Sequence, residues 1–212
     1  MALSEKDRSM LTCETNIVFH VAATVRFDEK LSKSIDINVR GTKELLELAR
    51  EMKGLESLVH VSTAYVHCHL RNEVIREEGK CFTLYFCHSK KSLSAHNKLA
   101  YCLQVYPPEH STEEILNLSM SEKDDIDSER LTRLLIGARP NTYTFTKAIS
   151  EQLVNEERGE LPIAIVRPSI VGGSIEEPMP GWVDNLNGPM GLVASGGHGL
   201  VRYKKLSISC VL

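Results

Sequence analysis

Three short apolar segments rich in β-branched residues stand out along the chain. They are Asn16–Ala23, Ser57–Ser62 and Pro162–Arg167. Their apolar positions are nearly continuous instead of alternating with polar ones, which is typical of parallel strands that are covered on both sides. The pattern therefore predicts three strands of a parallel sheet, each buried on both faces.

The segments between these strands carry helical patterns. Before the third strand, Phe145, Ile149 and Leu153 are spaced four residues apart. Between the first two strands, Gly54 follows a helical pattern and is predicted to cap its C-terminus. The apolar residues of that pattern are Val39, Leu45, Leu46, Ala49 and Met52. Alternating strands and helices predict an α/β fold with a doubly wound parallel sheet.

No glycine-rich phosphate-binding turn occurs in the 212 residues. A dinucleotide-binding fold begins with a strand, a Gly-rich turn and a helix whose N-terminus holds a pyrophosphate. Neither G-x-G-x-x-G nor G-x-x-G-x-x-G is present. We therefore expect a partial Rossmann-type fold whose first β-α units, roughly two of about 30 residues each, are missing.

The composition is that of an ordinary globular domain. The chain is 42% hydrophobic and 25% charged with a formal net charge of −3, and its basic residues are scattered, so we expect no nucleic-acid partner. No apolar run approaches the roughly 18 residues of a membrane-spanning helix, and the start lacks the apolar core of a signal peptide. We assign residues 1–202 to one partial nucleotide-binding domain.

Cysteine and histidine residues cluster in the middle of the chain without the spacing of a metal site. A structural zinc site usually contains close pairs such as C-x2-C with a matching second pair. No such pairs occur here, and we expect no metal and free thiols. The clustered residues are Cys68, Cys81, Cys87, Cys102, His67, His69, His88 and His96.

Residues 79–104 interrupt the pattern, and residues 203–212 do not continue it. The first segment has no clear period and contains three of the six cysteines. It is either a lid or an insert. Codons for Gly79-Lys80, Gln104-Val105 and Arg202-Tyr203 can contain splice signals. We predict a retained intron at 79–104 and a non-native tail at 203–212, which sequencing of the transcript would test.

Tyr143 and Lys147 lie one helical turn apart on one face of a predicted helix. A tyrosine with a pKa near its usual value of about 10 is a poor acid–base group at neutral pH. A nearby lysine cation favours the phenolate, so we expect Lys147 to lower the pKa of Tyr143. The spacing alone also suits an ordinary solvated helix face.

Other polar and small residues follow the predicted strands. Ser62 and Thr63 end the second strand, at the edge where open α/β sheets bind ligands. The small residues Ala22 and Ala23, with Thr24, follow the first strand and would let a cofactor approach the backbone. The helix between them carries Asn38, and the third strand leads into Pro168, Ser169 and Ile170.

This order of Ser-Thr, Tyr-x-x-x-Lys and Arg-Pro resembles the extended short-chain dehydrogenases, and longer stretches resemble the fatty acyl-CoA reductases among them. The resemblance covers about residues 4–78 and 105–202. The stretches that carry it are Asn16–Asp28, Asn38–Lys43, Val59–Tyr65, Arg139–Ala148, Arg167–Val171 and Pro180–Pro189.

The resemblance implies a role for each matching residue. Tyr143 would be the acid, Lys147 its electrostatic partner and a ribose ligand, and Thr63, with Ser62 beside it, the hydrogen-bond donor to the carbonyl. Asn38 would complete a proton relay. The implied cofactor-binding residues are Ala22, Ala23, Thr24, Lys147, Pro168, Ser169 and Ile170.

The resemblance also implies NADPH as cofactor and a long-chain fatty acyl-CoA as substrate. Two hydride transfers would give a fatty alcohol by way of a hemithioacetal and an aldehyde. The full-length protein would act at the cytosolic face of a peroxisomal or endoplasmic-reticulum membrane, held there by a C-terminal part that is missing here.

Two alternatives remain open. An extended reductase acting on a sugar nucleotide or a sterol is one, although the run Pro180–Pro189 argues against it. A truncated product without activity is the other. Because the glycine-rich turn is missing, we expect the 212-residue chain to bind NADPH weakly or not at all, and a titration showing low-micromolar affinity would contradict this.

Overall fold

The computed structural model describes residues 3–70, 105, 109–121, 126–184, 186 and 189–200. The predicted insert at 79–104 and the predicted tail at 203–212 lie outside these residues. So do Cys81, Cys87, Cys102, His88 and His96. The chain divides into two compact units, residues 1–167 and 168–212.

The first unit contains a parallel sheet of three strands, as the apolar segments predicted. The strands β1 (Ile17–His20), β2 (Ser57–Val61) and β3 (Ile163–Val166) lie in the order β1-β2-β3. Their register places Val18 beside Leu58, and Leu58 beside Ile163. The carboxyl ends of all three strands therefore meet at one edge of the sheet.

The prediction that each strand is buried on both faces is wrong. Leu58 and His60 are each only 1% exposed, whereas Phe19 and Val166 on the other face are 69% and 47% exposed. The burial of β1 and β3 alternates with a period of two residues. Within the described residues the helices pack against one face of the sheet and leave the other open.

The helices of the first unit follow the predicted alternation. They are α1 (Glu5–Glu14), α2 (Leu31–Ile35), α3 (Gly41–Glu51), α4 (Thr112–Ser121), α5 (Glu129–Ile136) and α6 (Thr142–Glu157). A π-helical turn, Asp36–Arg40, joins α2 to α3 without a break, and a 3-10 helix, Ala64–His67, follows β2. Single π-turns inside α-helices are frequent at functional sites.

The hydrophobic core lies between the helices and the covered face of the sheet. Phe145, Ile149 and Leu153, the predicted stripe on α6, are each no more than 1% exposed. They pack with Leu31 and Ile115 and with the strand residues of the covered face. Because α6 is apolar or small along most of its length, it is buried almost all round.

Gly54 does not cap α3, contrary to the prediction. The helix ends at Glu51, and the capping residue is Met52 in an extended conformation, whose N–H donates to the carbonyl of Ala49 at 3.2 Å. Gly54 instead accepts a hydrogen bond from Asn16 Nδ2, and a Cβ there would lie 3.0 Å from that atom. The glycine allows this close approach.

The described residues of the second unit form a looped segment and the helix α7 (Pro189–Gly197). In the loop, Gly181 donates its N–H to the carbonyl of Ser174, and Ser174 donates its N–H to the carbonyl of Trp182. Gly181 has a φ of 78°, a conformation that favours glycine. These two bonds close a loop between Ser174 and Trp182, at the start of the run Pro180–Pro189.

No helix in the described ranges is long and apolar enough to cross a membrane. The same ranges contain no group of three or more side chains arranged to hold a metal ion, and Cys13 and Cys68 are free thiols.

Candidate functional site

Four of the five predicted catalytic residues meet at the carboxyl edge of the sheet, and the fifth lies behind them on the π-turn. Ser62 and Thr63 leave the end of β2, while Tyr143 and Lys147 lie on the first two turns of α6. Asn38 lies on the π-turn and is 2% exposed. The capping of α6 by Asn141, whose Oδ1 accepts from the N–H of Thr144 at 2.9 Å, fixes where that helix begins.

Tyr143 is half-buried and forms a side-chain hydrogen bond with Thr63. Burial raises the pKa of Tyr143, and the bond to Thr63 opposes the rise. A bond that lowers the pKa favours the phenolate over the phenol, so the contact with Thr63 stabilises the ionised form of Tyr143. The expected lowering of the pKa by Lys147 is not met: burial decides the direction of the shift, and the bond to Thr63 is the influence that opposes it.

Lys147 is buried, with 4% of the residue exposed. Its Nζ donates to the carbonyl of Val61, the last residue of β2, at 2.8 Å. Burial lowers the pKa of Lys147 to about 8, while the negative charge of Glu151 acts to raise it. The ammonium has three donors, and Val61 takes one of them.

Two histidines lie close to Lys147 on the covered face of the sheet. The rings of His20 and His60, the facing residues of β1 and β2, have centroids 5.2 Å apart. Burial, with the charge of Lys147, lowers the pKa of His20 to about 4 and of His60 to about 3, so both are neutral. Neither ring nitrogen of His60 has a hydrogen-bond partner among the described residues.

Asn38 connects the segment after β1 to the catalytic helix. Its Oδ1 accepts from the N–H of Thr24 at 2.8 Å, and its Nδ2 donates to the Thr24 carbonyl at 3.2 Å and to Thr146 Oγ1 at 2.9 Å. Its own carbonyl accepts from Thr42 and Ser150. Thr146 lies immediately before Lys147, so this network holds the helix face that carries Tyr143 and Lys147.

Replacing Asn38 with leucine should destabilise the fold by about 1–3 kcal/mol, the usual cost of leaving buried polar groups without partners. The change retains the side-chain volume while it removes three hydrogen bonds. Urea unfolding measures the loss. Asn16→Leu is the matched control, because that amide binds one carbonyl at the surface. Equal losses for the two variants would contradict the assigned network.

The predicted cofactor residues fall into two groups. Ala22, Ala23 and Thr24 begin two residues after the end of β1, and the side chain of Asn38 binds both the N–H and the carbonyl of Thr24. Pro168, Ser169 and Ile170 begin two residues after the end of β3 and belong to the second unit. Nothing in the structure tests the role of either group, and their assignment stays a prediction.

The sequence interpretation missed a buried ion pair next to this site. Arg167 donates to both carboxylate oxygens of Glu151, and the two side chains are 4% and 1% exposed. A signal for it was present, since Glu151 continues the four-residue spacing of Tyr143 and Lys147. His60, also missed, gives no such signal, because a single histidine in an apolar strand looks like any core residue.

The parallel sheet, with Tyr143, Lys147 and Thr63 at its carboxyl edge, defines a reductase-type nucleotide-binding fold of the extended short-chain dehydrogenase class. The terminal R domain from the myxalamid PKS-NRPS biosynthetic pathway shares the fold, with a TM-score of 0.53 and 24% identity over 87% of this chain and 33% of that one. The model of the NAD-binding family described as male sterility protein matches residues 1–211, and the chain belongs to that family.

The curated relatives carry a common name. The chain is 41% identical over 207 residues to fatty acyl-CoA reductase 1 of Rattus norvegicus and 42% identical over 207 residues to that of Homo sapiens. It is 43% identical over 205 residues to fatty acyl-CoA reductase 2 of Mus musculus. Each match covers 96–98% of this chain but only 34–35% of the relative. The chain thus spans about a third of their length.

Membership of an NAD-binding family implies a nicotinamide cofactor, and the residues at the edge of the sheet fit part of one. Ser62 Oγ is buried and has no hydrogen-bond partner among the described residues. Within the same residues, Lys147 uses one of its three donors. These groups can hold hydroxyl groups of a ribose. Ser62 and Lys147 therefore have hydrogen-bonding capacity for a ligand at this edge.

Proposed function

We propose that this chain is the catalytic portion of an NADPH-dependent fatty acyl-CoA reductase that forms fatty alcohols. The observation that carries the proposal is the hydrogen bond between Thr63 and Tyr143, with Lys147 one helical turn away. The names of the relatives support the choice of acyl-CoA as substrate.

The side chains of this site suit the reduction of a carbonyl group. When bound, the nicotinamide cofactor supplies the hydride. The phenol of Tyr143 donates its proton to the carbonyl oxygen of the substrate as negative charge develops there. The hydroxyl of Thr63 stabilises the phenolate that remains, and the ammonium of Lys147 stabilises it electrostatically.

The full-length protein that contains this chain provides the test. With a long-chain acyl-CoA we expect NADPH oxidation, two equivalents for each fatty alcohol released, and much slower oxidation of NADH. Spectrophotometry and mass spectrometry of the extracted lipids measure these. If NADPH is oxidised with a sugar nucleotide or a sterol but not with acyl-CoA, the proposal is wrong and the alternative, an extended reductase for those substrates, is favoured.

The place of action belongs to the same proposal. The full-length protein would work at the cytosolic face of a peroxisomal or endoplasmic-reticulum membrane, through segments beyond the 212 residues. Fractionation of cells that express the full-length protein tests this, and recovery in the soluble fraction alone would contradict it.

A further inference from the structure

The ion pair between Glu151 and Arg167 lies one helical turn beyond Lys147. Arg167 Nε lies 2.9 Å from Oε1 of Glu151, and Nη2 lies 2.5 Å from Oε2. A two-pronged contact of this kind fixes the orientation of both side chains. It joins the middle of α6 to the residue that follows β3.

The position of this pair calls for an explanation other than fold stability. Two charges that leave water lose their hydration, and an apolar pair of similar volume often stabilises a fold as well or better. Both side chains are nevertheless almost fully buried. The four-residue spacing on α6 places Glu151 on the same face as Lys147, the cation of the proposed site.

The groups that face Lys147 come from β1, β2 and α6. His20 on β1 and His60 on β2 are neutral, Tyr143 lies a turn before it on α6, and Glu151 lies a turn after it, with Arg167 beyond. His67, near Arg167, has a pKa lowered by burial to about 3 and is neutral as well.

Several ionic groups on α6 and on the helices packed against it are engaged in ion pairs with one another. Among the described residues, the carboxylate of Glu151 is the charged group that acts to raise the pKa of Lys147. The engaged pairs are Lys33 with Glu29, Arg40 with Asp36, Arg133 with Glu129, and Lys43 and Arg50 with Glu157.

We propose that Glu151 and Arg167 are positioning residues that set the charge of Lys147. Glu151 keeps the buried ammonium protonated, and Arg167 holds the carboxylate in place and limits its effect. The inference rests on the proposed function, because Lys147 matters to the reaction only if it supports Tyr143. A pair that served fold stability alone would leave the titration of Lys147 unchanged.

The direct test is to measure the pKa of Lys147 in the 212-residue chain. Competitive labelling of amines at a series of pH values, read by mass spectrometry, gives this pKa. Glu151→Gln removes the negative charge that acts to raise the pKa of Lys147, and so should lower that pKa by about one unit. Arg167→Met leaves the carboxylate without its cation and should raise it by about the same amount. In the double variant, the pKa of Lys147 should lie between the values of the two single variants and below that of the unchanged chain.

Glu51→Gln is the matched control. Glu51 also binds an arginine, Arg8, through both oxygens, but at the surface, where the two side chains are 42% and 48% exposed. The Glu51→Gln variant should leave the pKa of Lys147 unchanged. Shifts of the two single variants in the same direction, or no shift, would overturn the inference. If a single variant does not fold, an unchanged or raised pKa of Lys147 in the double variant overturns it.

The full-length protein gives a second measurement. Lys147 acts as a cation, so the rate of NADPH oxidation should fall as the pH rises through its pKa of about 8. This fall should move to lower pH in Glu151→Gln and to higher pH in Arg167→Met. A fall at the same pH in both would contradict the inference. If the full-length protein reduces no acyl-CoA, the proposed function fails, while labelling of Lys147 still decides the inference.

Discussion

Tyr143→Phe should lower kcat for acyl-CoA reduction by about 10²–10⁴-fold in the full-length protein, the range that general-acid catalysis contributes. The change removes the phenol oxygen that Thr63 binds but leaves the ring, whose centroid lies 5.8 Å from that of Phe27. Cofactor affinity should therefore change little. Steady-state kinetics with NADPH and a long-chain acyl-CoA measure both quantities.

Tyr65→Phe is the control for that experiment. Tyr65 lies on the 3-10 helix two residues after Thr63 and donates its backbone N–H to Thr63 Oγ1 at 3.2 Å. The same loss of one hydroxyl there should leave kcat near its original value. If Tyr143→Phe retains more than about half of the activity, far outside the expected range, Tyr143 is not the acid.

Removing one partner of the buried ion pair should destabilise the fold by about 3–5 kcal/mol, because the remaining charge stays buried without compensation. Arg167→Met leaves the carboxylate of Glu151, whose side chain is 1% exposed, without this arginine, and Glu151→Gln removes the same ion pair from the other side. Urea unfolding of the 212-residue chain, monitored by circular dichroism, measures the loss in the free energy of unfolding.

The double variant distinguishes a charge effect from a packing effect. With both charges removed, no ion remains buried, so the doubly substituted chain should be more stable than either single variant. Glu51→Gln, at the exposed pair with Arg8, should hardly move the unfolding midpoint. If the two single losses add up in the double variant, the pair contributes packing and not charge compensation.

Local patterns along the chain predicted the elements of the first unit well. Apolar segments rich in β-branched residues located all three strands, and the spacing of Phe145, Ile149 and Leu153 located α6. These features depend on neighbouring residues. The burial of a strand's second face depends on what lies across the sheet, and a nearly continuous apolar segment does not reveal that. The prediction for β1 and β3 failed for this reason.

At the site, too, the sequence predicted features that depend on neighbouring residues but not those that depend on residues distant in the chain. The four-residue spacing placed Tyr143 and Lys147 on one face of a helix, and the structure adds Thr63 to them. The sign of the pKa shift of Tyr143 depends on how deeply the ring is buried, which no spacing encodes. The partner of Glu151, Arg167, lies 16 residues away, directly after β3, and only the packing of α6 against β3 brings it close.

The alternation of buried and open positions along β1 has a practical consequence for producing this chain. Ile17 and Phe19 point away from the helices and are 55% and 69% exposed, and β1 is an edge strand of the described sheet. An exposed apolar edge is a template for aggregation, which natural sheets often prevent with a lysine. Because side chains alternate along a strand, Ile17→Thr and Phe19→Lys would change the solubility of the chain and leave the packed face, and the site at its carboxyl edge, untouched.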